Sequence, residues 1–190
     1  MALVNKSDLS SVKTSLSYLE TIERENNNLI NTINLFSTNS KAELKGSAYD
    51  SVRNKLELYV DALKKQNTIC SNLRQNIIST NNEMINYMEE YSSLDDSNID
   101  NVRAAITKAK SQINIINNLI SKTSDSVYIG QLRTAIEALN KDIDRLEKLL
   151  KKLEGLQPED NNLKGKLAPV VSDIDNYKSA IDGISVTPYV

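Results

Sequence analysis

Residues 47–92 read SAYDSVRNKLELYVDALKKQNTICSNLRQNIISTNNEMINYMEEYS. Val52, Leu56, Tyr59, Leu63, Gln66, Cys70, Leu73, Ile77, Thr80, Met84, Tyr87 and Tyr91 recur there in steps of four and three. That spacing returns a side chain to one face of an α-helix, and its persistence makes a heptad seam. At 1.5 Å per residue the helix would be a rod on the order of 70 Å long.

The same rhythm extends on both sides. Before it, a helix over about 7–37 carries Leu9, Val12, Leu16, Leu19, Glu23, Asn26, Ile30 and Ile33, broadened by Ile22, Leu29 and Phe36. After it come helices over about 97–121, with Ile106, Ala109, Ile113, Ile116 and Ile120, and 126–154, with Leu132, Ile136, Leu139, Ile143 and Leu150. A fifth helix is expected over about 167–183, around Val170, Ile174 and Ile181. Ser97 and Asp100 have the spacing of a helix cap, and Gly155 and Gly183 fall where left-handed C-terminal caps belong. Pro158 should end the fourth helix and Pro169 should sit in the first turn of the fifth. No strand pattern is visible. The expected fold class is all-α: an elongated antiparallel helical hairpin or bundle of four to five helices with coiled-coil-like packing.

A turn centred near Glu43 and Leu44 would fold the first two helices together, placing residue i opposite about 88 − i. Glu23 then lies level with Gln66, either as a polar pair that fixes register or as part of a partly solvated stripe. By the same estimate the second helix overhangs the first by about three turns. The overhang carries Met84, Ile85, Tyr87 and Met88, an apolar face that needs cover. The later half of the third helix could supply it, and so could a partner protein, which makes these four residues candidate partner-binding positions.

Composition narrows the function classes. The apolar fraction is 39% against roughly 45–50% in compact domains, so much of each helix must face water. A net charge of −2, with Lys and Arg interspersed among Asp and Glu, gives no positive field for nucleic acid. No apolar run approaches the roughly 18 residues of a membrane span, and the first residues lack the apolar core of a signal peptide. The chain has no histidine, which removes Ser-His-Asp and Cys-His nucleophile pairs, the usual zinc sites and the Glu-x-x-His motifs of di-iron bundles. Five scattered glycines make no phosphate loop, and Asp and Glu fall at salt-bridge spacing, as in Glu137/Lys141 and Asp144/Lys148. The lone Cys70 reads as a small core residue. We therefore expect no enzyme, no cofactor and no metal.

Leu44-Lys45-Gly46-Ser47-Ala48-Tyr49 joins the two N-terminal helices and resembles the turn that names the LXG domain family. That turn is similar to the Trp-x-Gly turn of the smaller WXG family. Gly46 suits a turn that a Cβ would strain, and Leu44 can plug the hairpin end. Leu163-Lys164-Gly165 repeats the triplet in an expected loop. The resemblance implies one LXG-like domain over 1–190, with a WXG-like hairpin over 1–95 and additional helices over 96–190. It implies the targeting domain of a toxin exported, without a signal peptide, by the type VII secretion machinery of Gram-positive bacteria. The expected partners are small helical WXG-like proteins, with a toxin domain normally following. WXG-family substrates also carry Tyr-x-x-x-Asp/Glu after the hairpin, and Tyr91-Ser-Ser-Leu-Asp95 matches it. Tyr91 and Asp95 are thus a candidate export motif, the other reading being a core tyrosine and a capping acid. The alternative function is a structural coiled-coil scaffold that self-assembles through its seams.

Overall fold

The structure, a computed structural model, describes residues 2–182; the expected cap Gly183 lies outside them. In chain order the elements are β1 (Leu3–Asn5), α1 (Lys6–Ser15), α2 (Ser17–Glu43), α3 (Ser47–Met88) and β2 (Ser93–Asp95). A single 3-10 turn (Asp96–Asn98), α4 (Ile99–Ile120) and α5 (Ser126–Asp182) follow. The all-α class holds. Only Leu16 separates α1 from α2, and its backbone stays near helical, with its N–H donating to Val12 O at 3.0 Å.

The chain packs as two compact units. One comprises Met1–Asp8 with Met84–Asn162, the other Leu9–Glu83 with Leu163–Val190. The sequence reading places its boundary at 95/96; the packing breaks at 8/9, 83/84 and 162/163.

In the first unit Met88, Leu94 and Leu156 are fully enclosed, with Met84, Val102, Ile106, Ile143 and Leu153 also buried. The cover for the α3 overhang thus comes from inside the chain. On α4 it is the early half, Val102, Ile106 and Ala109, that is buried, while Ile115 and Leu119 of the later half are exposed. The expected absence of strands is corrected by a two-stranded antiparallel ladder, with Val4 opposite Leu94 and Leu3 opposite Asp95. Ala2 extends it, its N–H donating to Asp96 Oδ2 at 2.8 Å while its carbonyl accepts from Asp96 N. Ser97 is not the cap expected for α4. Asp95 Oδ1 accepts from Ser97 N at 2.9 Å and starts the 3-10 turn, so α4 begins two residues later. Asp125 caps α5, accepting from Val127 N and Tyr128 N.

The expected break between a fourth and a fifth helix is also corrected: α5 is continuous for 57 residues. Pro158 removes one backbone hydrogen bond, a cost of about 3 kcal/mol in a helix interior. Leu153, Leu156, Leu163 and Val170 keep the three-four spacing across it and are all buried, and each buried side chain of this size contributes roughly 1.5–3 kcal/mol. Burial outweighs the proline, and both Pro158 and Pro169 lie on exposed positions. The second Leu-x-Gly triplet, 163–165, is therefore helix and not turn.

Gly155 serves close packing within α5 instead of capping it. A Cβ there would lie 2.4 Å from the hydroxyl oxygen of Tyr87, which donates to Lys152 O at 2.6 Å. Gly155→Ala gains about 1 kcal/mol in helix propensity, yet it should destabilise the protein by about 1–2 kcal/mol through that overlap. In a Tyr87→Phe background the nearest remaining ring carbon stands at 3.5 Å, ordinary contact. There the same alanine should stabilise by up to about 1 kcal/mol. Urea melts of the four proteins check this, and an alanine that stabilises in both backgrounds would contradict it.

The second unit holds a hydrophobic cluster of Leu16, Leu19 and Cys70, packed by Val12, Ile22, Leu73, Ile77 and Ile78. The first-helix stripe is buried at Leu16, Leu19, Asn26 and Ile30, four of its expected positions. Burial pushes the Cys70 thiol above its usual range, with the Glu23 carboxylate adding to the effect.

Candidate functional site: the Gly46 hairpin

The α2–α3 hairpin is closed by three residues, Leu44–Gly46. Gly46 has φ +119°, a conformation that L side chains rarely adopt, and a Cβ there would meet nothing within 4 Å. Its glycine is required by the backbone and not by space. Leu44 is half-buried; Ala48 and Tyr49 are exposed.

Arg53, which the sequence reading left off the seam, is buried behind this turn. Its guanidinium donates to Ser40 Oγ (3.1 Å), to the Leu44 carbonyl (3.1 Å) and to Asp50 Oδ1 (2.6 Å). The end of α2, the link and the first turn of α3 are thereby held by one side chain, whose planar fork suits several acceptors at once.

The register differs from the expected 88 − i. Asn26 Nδ2 donates to Gln66 Oε1 (2.8 Å) and Asn67 Oδ1 (2.9 Å), Asn67 Nδ2 donates to Asn27 Oδ1 (2.9 Å), and Arg53 meets Ser40. These pairs place residue i opposite about 93 − i, because α2 runs through Glu43 and moves the turn centre to Gly46. Gln66 therefore pairs with Asn26 and not Glu23; Glu23 faces Arg74, which also binds Glu20 at 2.7 Å.

That shift rotates the turn half of α3. Arg53 and Val60 are buried, whereas Val52 (41% exposed) and Tyr59 (37%) are not. On α2, Leu29 and Phe36 precede the seam residues Ile30 and Ser37, as Val52 and Tyr59 precede Arg53 and Val60. In an antiparallel pair, equivalent flanking positions of the two helices line the same side. Leu29, Phe36, Val52 and Tyr59 thus form one apolar flank beside the turn. Phe36 and Leu29 are 45% and 48% exposed, and Tyr49, Leu35 and Leu58 add to the bare apolar surface nearby.

Farther from the turn, α5 covers α3. Lys166 pairs with Glu83, and a cavity of about 380 Å³ is lined by Lys65, Thr68, Ile69, Asp173 and Tyr177. Asp173, Asn176 and Tyr177 of α5 line that cavity with Lys65.

The other candidate residues sit in the first unit. Met84 and Met88 are buried and Ile85 and Tyr87 half-buried, so the two methionines are core. Tyr91 lies in the turn after α3, half-buried, while Asp95 ends β2 and caps Ser97. They do not share a helix. Tyr91 lines a cavity of about 520 Å³ with Tyr87, Glu89, Lys148, Lys151 and Gly155. Lys152 bridges there, donating to Tyr87 O (2.8 Å) and Glu89 Oε1 (2.7 Å) with its ammonium 4.7 Å from the Tyr87 ring centroid. Burial raises both phenols, and the Lys152 bond lowers the Glu89 carboxyl. Glu89, at φ +49°, ends α3, and cations from Lys6 and Lys152 meet the last carbonyls.

Among the described residues no helix is long and apolar enough to cross a membrane, and no group of three or more acidic or cysteine side chains could hold a metal ion. No family model, curated protein or solved structure matches the chain.

Proposed function

We propose that the Gly46 hairpin is a docking module, binding small helical proteins along the flank that Leu29, Phe36, Val52 and Tyr59 expose. The observation that carries this reading is the bare apolar flank beside a turn held rigid by Arg53. A helix laid along it would complete a three-helix seam in the way amphipathic partners fill helical grooves. The LXG resemblance names the occupants as WXG-like hairpins and the purpose as type VII export, with no chemistry performed on any substrate. On this reading the chain targets an attached toxin domain, and Tyr91 with Asp95 is read by the export machinery apart from the docking flank.

Co-expression with the small helical proteins encoded beside it, followed by affinity capture, tests the reading. Phe36→Lys with Tyr59→Lys should weaken capture at least about 30-fold, since central aromatic contacts contribute on the order of 2 kcal/mol or more each. Tyr18→Lys, an exposed position on α2 away from the flank, should leave it unchanged. Equal capture by all three proteins would exclude the flank as the docking surface. An export assay of Tyr91→Ala in the same background reads the second part.

A further inference from the structure

The α4–α5 hairpin carries a second apolar face, unrelated to the Gly46 flank. The last buried residue of α4 is Ala109 and the next along the chain is Ile143 of α5. Between them no side chain is buried, yet the seam continues with Ile113, Ile116 and Ile120 on α4 and Leu132, Ile136 and Leu139 on α5, all half-buried. Beside it Ile115 is 58% and Val127 71% exposed, with Leu119 and Tyr128 also bare.

Three features indicate what covers this face. Isoleucine occupies both alternating seam positions of the α4 end, a pattern that fits three- and four-helix cores better than a two-helix contact. From Gln112 to Leu139 the charges are Lys122, Asp125, Arg133 and Glu137, two of each sign. A strongly charged partner would find no net charge to complement, whereas a second copy brings an equally neutral, equally apolar face. An apolar groove lined by Gln112, Ile115, Ile116, Ala135, Ala138 and Leu139 lies between the helices, its two alanines leaving room for a ridge from another helix.

The area is also adequate. The unburied stretch of α5 is about 25 Å long and the helix pair about 20 Å wide, a projected face on the order of 500 Å². Corrugated side chains raise the accessible area above that projection, toward the roughly 800 Å² per partner of a stable complex.

We infer that two copies of this chain pair through the ends of their α4–α5 hairpins, completing a four-helix bundle whose two halves are identical. Such a twofold contact uses one patch on both copies, so each substitution acts twice.

Sedimentation velocity on the full chain tests this. The unmodified protein should be dimeric at concentrations on the order of 10 μM. Ile115→Glu with Leu119→Glu should weaken self-association about 100-fold or more while leaving the helical circular dichroism of the folded chain unchanged, because both side chains are exposed in the single chain. Ile115→Cys should form an intermolecular disulfide under mild oxidation, the native Cys70 being buried. A monomer at tenfold higher concentration, or a dimer that survives the double substitution, would overturn the inference. So would a monomer that binds neutral phosphatidylcholine vesicles and loses them in the double variant, which assigns the face to lipid. Phe36→Lys with Tyr59→Lys should leave self-association intact, keeping this result separate from the docking test.

Discussion

Leu156→Ala should destabilise the first unit by roughly 3–5 kcal/mol, a large share of the total for a domain of this size. Leu156 has no exposed surface and lies near the middle of the continuous α5, two residues before Pro158. Truncation there removes the side chain's transfer energy and opens a cavity, and the cost is highest where the surroundings cannot collapse. Leu156 also belongs to the burial that offsets the missing hydrogen bond at Pro158. The substitution should therefore do more than enlarge a void: it should let α5 fray around residue 158. Urea unfolding followed by circular dichroism gives the loss in stability. Hydrogen exchange should show the lost protection concentrated over 150–162. A loss below about 1 kcal/mol, or exchange that stays slow around Pro158, would refute the account of why the helix continues.

Arg53→Ala should destabilise the hairpin by about 2–4 kcal/mol. Three acceptors depend on this one side chain, and the Ser40 hydroxyl and the Arg53 guanidinium are both buried. Removing the donor leaves polar atoms of the turn without partners, a larger effect than the net worth of any single bond. Arg53→Lys should recover only part of the loss, because one ammonium cannot span the geometry of the guanidinium fork. Arg53→Met keeps the apolar stem but none of the donors, so it should fall near alanine. Melts of the three variants order them, and a methionine variant as stable as the native chain would show that packing alone holds the turn. If the docking proposal is right, partner affinity should fall in the same order, since the flank beside Gly46 loses its fixed geometry.

The helical class and the α2 stripe were legible because periodic burial is written directly in residue spacing: Leu16, Leu19, Asn26 and Ile30 fall where the heptad puts them. Three features were not legible, each for a physical reason. Arg53 was left off the seam: a charge is costly to bury, and only the turn's own carbonyl, hydroxyl and carboxylate, brought together by folding, make its burial favourable. Misplacing it rotated the expected seam and hid Val52 and Tyr59 among core residues, so the flank emerged only with the register. Pro158 was read as a stop and Pro169 as the first turn of a new helix because local propensity penalises proline in a helix interior, whereas burial of Leu153, Leu156, Leu163 and Val170 overrides that penalty. A three-residue strand carries too few alternations to be recognised, and its partner lies about ninety residues away in sequence. Of the candidate residues, Gly46 is required by its backbone, while Met84 and Met88 carry the apolar signal of a core and not of a surface.

The pairing of Val4 with Leu94 carries a consequence for synthesis. The first strand leaves the ribosome long before its mate exists, and at roughly 5–20 residues per second the interval is about 5–18 seconds. Throughout that time the strand is an unpaired edge, and its loop of about ninety residues closes only after the hairpin between has had time to form. Local helices come first, and β1 finds its place only after them.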